Sequence, residues 1–230
     1  MNANRVAPIL MVMNEELWIE RVLRPLTAVF SLVFVGDTGS TDATARIAAD
    51  MRGVLVIQYG RKNPAELGQV RYRVARHAME YGKTHAWLVD GDHLYSESAI
   101  RWVLDQKWPD GRFLGFVTML SLDQDEQGQL WEMADLFSYP PIYPINEKWH
   151  GDYPFEVPLA IDDPNLYHYF STPPDHRYHA VHLHRLRRSP HDKSVFLREQ
   201  KQKQFCMADK PIERTVRFDL ESWTNGNTGG

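Results

Sequence analysis

The sequence predicts an α/β protein built on a mostly parallel, twisted sheet with helices on both faces. Three observations carry that prediction. Short apolar runs alternate with helix-patterned segments throughout the N-terminal half of the chain. The runs are nearly all apolar rather than alternating, as strands buried on both faces must be. The fourth run, Ala86-Trp87-Leu88-Val89, stops abruptly at two carboxylates around a glycine, Asp90-Gly91-Asp92. Open α/β sheets bind ligands outside such carboxyl strand ends.

Val6 to Val12, broken only by Pro8, reads as the first strand. Asn14-Glu15-Glu16 follows, and Leu17, Ile19, Val22, Leu23 and Leu26 then form the apolar face of a helix. Ser31 to Gly36 is the second strand. It ends at Asp37-Thr38-Gly39-Ser40-Thr41-Asp42, where Ser40 or Thr41 is positioned to cap a new helix and Asp42 to lie in its first turn. That helix stops near Gly53, and Val54 to Tyr59 is the third strand. Pro64 opens a helix with Val70, Val74, Ala75 and Ala78 as its buried stripe, ending at Gly82. Ser96 to Gln106 is the helix after the fourth strand. Right-handed crossovers between successive strands complete a parallel layer.

After Gly111 the rhythm changes. Phe113 to Leu122 and Gln129 to Ser138 are extended runs around Asp123-Gln124-Asp125-Glu126-Gln127-Gly128, a hairpin signal. Tyr139 to Pro158, rich in Pro, Tyr and Trp, reads as a structured loop. Irregular chain continues to about Tyr178, followed by a short strand over Ala180 to Leu183 and a polar helix over Asp192 to Met207. No linker divides the chain. Residues 1–222 are expected to form one domain with halves at 1–110 and 111–222, and 223–230 a disordered tail.

Composition narrows the function. At 230 residues and 43% hydrophobic, the chain can core one sizeable domain. A net charge of −4 gives no electrostatic case for general nucleic-acid binding. With a single cysteine, Cys206, neither an intramolecular disulfide nor a cysteine-cluster metal site is expected. No apolar run approaches the roughly 20 residues of a spanning helix, and Met1 to Arg5 lacks a signal-peptide core. The expected location is cytoplasmic. Many of the aromatics lie in the second half, where they can line a sugar or base site or simply form a wet-edged core.

Several residues carry chemistry. Gly91 lets the backbone turn sharply between Asp90 and Asp92. The first carboxylate can reach a ribose or a metal-bound water, and the second can hold a divalent cation against a diphosphate. Asp37 ends the neighbouring strand on the same sheet edge. Ser40, Thr41 and Asp42 already suffice for capping, so Asp37 is read as a nucleotide contact. Of Arg71, Arg73 and Arg76, which cannot share one helix face, Arg71 is the one expected to turn toward the site. His182 and His184 fall on one face of an extended segment. That spacing can add an imidazole to a carboxylate metal site and favour Mn over Mg. Equally, with Arg185, Arg187, Arg188 and Lys193 nearby, the segment can be a solvated basic stretch suited to a departing diphosphate. Asp152 and Glu156 lie in Trp149-His150-Gly151-Asp152-Tyr153-Pro154-Phe155-Glu156, among apolar neighbours that can raise an acid toward general-base use.

Three motifs in order resemble the family 2 glycosyltransferases with the GT-A fold: Val12-Met13-Asn14-Glu15-Glu16-Leu17-Trp18-Ile19, Val35-Gly36-Asp37-Thr38-Gly39-Ser40-Thr41-Asp42-Ala43-Thr44 and Trp87-Leu88-Val89-Asp90-Gly91-Asp92. Trp149 to Glu156 resembles that family's acceptor-side segment, and His184 through Arg198 its C-terminal histidine with following basic residues. The resemblance implies a Rossmann-like GT-A fold with a small antiparallel acceptor-side portion. It also implies a UDP- or GDP-sugar donor, Mn2+ or Mg2+, and inversion at the anomeric carbon. Carried over residue by residue, Asn14, Glu15, Asp37, Gly39, Arg71, Asp90 and Gly91 bind the nucleotide. Asp92 and Asp90, with His184 or His182, hold the metal. Glu156 or Asp152 is the base, Arg185 and Lys193 neutralise the diphosphate, and Trp149 and Tyr153 line the acceptor site, whose occupant is unspecified. Segments around Tyr139 to Tyr153 are expected to close over the donor. One departure is His93, where many members carry an acid. Two other classes compete. A nucleotidyltransferase usually has a Gly-rich basic first loop where Asn14-Glu15-Glu16 stands, and a non-catalytic nucleotide-sugar-binding protein needs no base.

Overall fold

The computed structural model describes residues 5–105, 113–125, 127–145, 168–171, 180–183, 186, 189–190 and 214–224. In chain order these form β1 (Val6–Val12), α1 (Ile19–Val29), β2 (Val33–Asp37), α2 (Thr44–Asp50), β3 (Val54–Gln58), a 3-10 turn (Pro64–Glu66), α3 (Leu67–Glu80), β4 (His85–Asp90), β5 (His93–Tyr95), α4 (Glu97–Asp105), β6 (Phe113–Gln124), β7 (Leu130–Pro144), β8 (His168–Ser171), β9 (Ala180–His182), β10 (Arg214–Arg217) and α5 (Leu220–Thr224).

The strands join in one sheet ordered β3-β2-β1-β4-β7-β6-β9-β5, with β10 beside β7 and β8 beside β6. β3, β2, β1 and β4 are mutually parallel. β7 then runs antiparallel to β4 and opens the second half. From β1 the chain steps outward to β2 and β3, then crosses back to place β4 on the other side of β1. Strand order therefore reverses between β1 and β4, which makes the crevice beyond their carboxyl ends the topological switch point.

The apolar runs follow from burial on both faces. Leu10, Val35, Trp87 and Val89 pack on one face with Ile19, Leu23 and Leu26 of α1 and Ile100 of α4. Their alternates Ile9, Phe34, Ala86 and Leu88 pack on the other with Val70, Val74 and Ala78 of α3. Each buried Val, Leu, Ile or Phe among them contributes about 1.5–3 kcal/mol of transfer free energy. A third cluster gathers Leu94, Leu120, Val181, Leu183, Phe218 and Trp223 beneath the antiparallel half, with Trp18 packed against it.

Several boundaries differ from the sequence expectation. α1 starts at Ile19 rather than Leu17, because the amides of Trp18 and Ile19 both donate to the Glu15 carbonyl in a tight turn. α2 starts at Thr44, with Asp42 as its side-chain acceptor, while Ser40 and Thr41 bond to Asn14 instead. Residues 139–144, expected in a loop, belong to β7, and β5 follows β4 with only Gly91 and Asp92 between. β8 lies where irregular chain was expected. The expected helix over Asp192 to Met207, the rest of the Tyr139 to Pro158 segment and the end of the tail lie outside the described residues. No helix among the described residues is long and apolar enough to cross a membrane.

Candidate functional site

The loops after β1 and β2 are laced into one rim of the switch crevice. Thr38 donates to the Val12 carbonyl through both its amide and its hydroxyl, each at 3.0 Å. Asn14 adopts a left-handed backbone (φ 57°), tolerable for asparagine. Its amide donates to Ser40 Oγ at 3.0 Å, and its Oδ1 accepts from the Thr41 amide at 2.8 Å. The Glu15 amide donates to Thr44 Oγ1 at 2.7 Å. Asp37 is buried at the end of β2, and its carboxylate accepts the Ser40 amide at 3.2 and 3.3 Å. Gly39 has φ +101°, and a Cβ there would meet the Arg61 amide nitrogen at 2.6 Å, so only glycine fits.

The opposite rim is the acid pair. Arg73 and Arg76 are exposed on α3, whereas Arg71 turns inward and is only 4% exposed. Its Nη2 donates to Asp90 Oδ1 at 2.6 Å. Asp92 turns the other way and is buried. The Leu183 amide donates to its carbonyl at 2.8 Å, and β5 pairs antiparallel with β9 so that His93 stands opposite His182. His182 Nε2 lies 3.6 Å from Asp92 Oδ2. His93 Nε2 lies 3.6 Å from Asp90 Oδ2 and 4.0 Å from Asp92 Oδ1. One atom each from Asp92, His93 and His182 falls within 4.8 Å of the others. Burial pushes the His93 pKa down to about 4, and the opposing pull of Asp90 and Asp92 does not restore it.

A buried carboxylate beside imidazole suits a divalent ion of borderline hardness, so the donor set fits the expected metal. Gly91 sits tightly under the turn, with the Cγ of buried Glu15 only 2.6 Å from where a Cβ would be. A separate open groove among Leu17, Trp18, Arg21, Leu130, Arg217 and Phe218 holds none of these acids or histidines.

Of the residues singled out from sequence, the fold gathers Asn14, Glu15, Asp37, Gly39, Arg71, Asp90, Gly91, Asp92 and His182 at the carboxyl edge of the sheet. Trp149, Asp152, Tyr153, Glu156, His184, Arg185 and Lys193 lie outside the described residues. Sequence reasoning missed His93 as a member of the site. The available signal was its position immediately after Asp92.

The parallel β3-β2-β1-β4 layer with helices on both faces, continued by antiparallel β7 and β6, is the Rossmann-like, GT-A-type arrangement that the sequence resemblance implies. No protein-family model matches the chain, and no curated protein sequence matches it. Partial likenesses occur among solved structures. S. aureus TarS 1-349 is 21% identical with a TM-score of 0.41, over 51% of this chain and 36% of that one. Glucosyl-3-phosphoglycerate synthase from Mycobacterium tuberculosis, in complex with Mn2+, UDP and phosphoglyceric acid, is 18% identical with a TM-score of 0.37, over 50% and 43%. A 4-diphosphocytidyl-2C-methyl-D-erythritol synthase is 13% identical with a TM-score of 0.44, over 61% and 75%. The chain thus spans less than half the length of the first two.

Proposed function

We propose that the chain is a metal-dependent glycosyltransferase that moves a sugar from a UDP- or GDP-linked donor to an acceptor hydroxyl. The observation that carries this reading is a buried carboxylate, Asp92, set 3.6 Å from His182 Nε2 at the switch-point end of the parallel sheet. Asp92 and His182 would hold Mn2+ or Mg2+, and the ion would supply charge neutralisation of the diphosphate leaving group. Asp90 has one oxygen fixed by Arg71, which leaves its other oxygen to orient a ribose hydroxyl. Asp37, Asn14, Glu15 and Gly39 form the nucleoside side of the crevice.

In this reading Glu156 or Asp152 takes the proton from the acceptor hydroxyl. The oxygen attacks the anomeric carbon in line, and the bond from that carbon to the diphosphate oxygen breaks. Arg185 and Lys193 add positive charge for the leaving diphosphate, His184 is an alternative ligand, and Trp149 and Tyr153 line the acceptor side. Residues 1–222 act as one catalytic domain.

A thermal-shift screen of nucleotide sugars, with and without Mn2+, tests the reading. A ligand at 100 times its Kd stabilises by about 2.7 kcal/mol, or roughly 5–10 °C for a chain of this size. The preferred donor should stand out only when Mn2+ is present, and Asp92→Ala should abolish both that shift and metal-dependent donor turnover while leaving the fold intact. Full turnover by Asp92→Ala in chelator would overturn the mechanism.

A further inference from the structure

The clustering of Asp92, His93 and His182 leaves two metal sets open, one with two imidazoles and one with a single imidazole. The ring nitrogens of His93 decide between them. Its Nδ1 lies 3.3 Å from the Asp90 backbone nitrogen, whose N–H points at it. An amide N–H can only donate, so Nδ1 must carry the lone pair. A neutral imidazole has one donor and one acceptor nitrogen. The ring proton therefore sits on Nε2, the atom that faces the carboxylates of Asp90 and Asp92.

Those separations exceed hydrogen-bond length, yet they set an N–H dipole between two acids that it attracts. A ligand needs the opposite arrangement. Metal-bound histidines present a lone pair to the ion and donate through the other nitrogen. For Nε2 to ligate, His93 must either lose its second proton or give up the Asp90 amide. Both cost free energy.

We infer that His93 is a neutral positioning residue whose Nε2–H braces Asp90 and Asp92, leaving His182 as the imidazole of the cluster that is open to a cation beside Asp92. The Asp90 N–H aimed at Nδ1 leaves no place for a proton on that nitrogen, so the ring carries a single proton and is neutral. The functional consequence rests on the metal reading above; the proton's place on the ring does not. With one imidazole rather than two, the site discriminates against Mg2+ less sharply than a two-histidine set.

The test uses the full chain labelled on its histidines, with ring tautomers read by long-range proton–nitrogen NMR. His93→Gln assigns the resonance, and His182→Gln assigns its neighbour if the first variant fails to fold. The metal-free protein should show His93 as the Nε2–H tautomer. Titration with Zn2+, a diamagnetic probe, should move the His182 nitrogens and leave the His93 proton in place. An Nδ1–H tautomer before metal, or loss of the Nε2 proton on adding Zn2+, overturns the inference. If His93 shows the expected tautomer and Zn2+ moves neither ring, the positioning role of His93 stands and the metal reading fails. A second readout is Mn2+ affinity by electron paramagnetic resonance. His93→Ala should weaken it by about 10-fold, as loss of an outer-shell partner does, and His93→Gln, which restores an N–H donor, should recover most of that. Equal losses in both variants count against the bracing role.

Discussion

Replacing Gly91 with alanine adds a single methyl at the point where the loops after β1 and β4 meet. Gly91 is not among the glycines with a left-handed backbone, so the effect is steric rather than conformational. The new Cβ would lie 2.6 Å from Glu15 Cγ, 3.3 Å from Glu15 Cδ and 3.1 Å from Val12 Cγ1. Reaching ordinary contact requires the groups to part by about 1 Å in a close-packed interior. Glu15 cannot swing out freely, being buried with its amide held by Thr44 Oγ1 at 2.7 Å. Overpacking of this kind costs about 1–3 kcal/mol, or roughly 2–12 °C in Tm for a chain of this length. A shift of about 1 Å in the carboxylates that flank Gly91 should lower turnover by about 100-fold. The assay is a double-mutant cycle by urea unfolding across wild type, Gly91→Ala, Glu15→Ala and the double variant. Truncating Glu15 removes the clashing atoms, so the double variant should be more stable than the sum of the singles by about 0.5–3 kcal/mol. Additive costs, or a Gly91→Ala protein with wild-type stability and Mn2+ affinity, would refute the steric account.

Further outcomes follow from individual side chains. Burial pushes the Asp42 carboxyl up, but hydrogen bonds from the Thr44 side chain and backbone, from Ser189 and from the Glu16 amide outweigh it, and its pKa falls below the ordinary 3.8. The unfolded chain therefore binds the proton more readily. The stabilisation is complete above that ordinary value and is lost as pH falls through the folded one, so Asp42→Asn should flatten the acid limb of a stability–pH curve. Lys83 is buried with no ion-pair partner among the described residues, and burial alone pushes its pKa down from 10.5. Wild-type stability should rise as pH climbs toward that value, and Lys83→Met should abolish the rise while adding about 0.5–1 kcal/mol at neutral pH in urea unfolding. Asp92→Asn and His182→Ala should each weaken Mn2+ binding by at least about 10-fold in calorimetry, whereas Arg73→Ala, on the exposed face of α3, should leave it unchanged.

The parallel half was legible because burial on both faces writes itself as uninterrupted apolar runs, as at Ile9-Leu10, Phe34-Val35 and Leu88-Val89. Strand ends were legible for the same reason: Asp37 and Asp90 are the first charges after those runs. The far end of β7 was not. Tyr139-Pro140-Pro141-Ile142 reads as loop because proline cannot donate to a ladder. The pairing shows why it is tolerated. Tyr139 faces Val117 and Ile142 faces Gly115, so Pro140 and Pro141 oppose Phe116 alone at a bulge. β5 was hidden for a different reason. Three residues carry no period, and its partner β9 lies far along the chain. The capping expectation for Ser40 and Thr41 misjudged a competition. Asn14, itself in a left-handed backbone, takes both residues, and Asp42 is left to serve α2.

The acid pair shows how two identical side chains one residue apart acquire different chemistry. On continuous extended backbone, Asp90 and Asp92 would point to the same face of the sheet. The turn at Gly91 and the immediate start of β5 separate them. Asp90 keeps a third of its side chain in solvent and is answered by a guanidinium from α3, a fixed charge that no pH in the working range removes. Asp92 is buried and faces the imidazoles of β5 and β9, groups that can be neutral. A carboxylate with one oxygen held by arginine is a well-oriented hydrogen-bond acceptor through the other. One set beside imidazole is ready to share a cation. The division arises from where the chain crosses: α3 precedes β4 and brings Arg71 to one side of the crevice, while β9, from the second half of the chain, brings His182 to the other. The proposed cation site therefore draws on both halves of the chain, although only the first half advertises it in sequence.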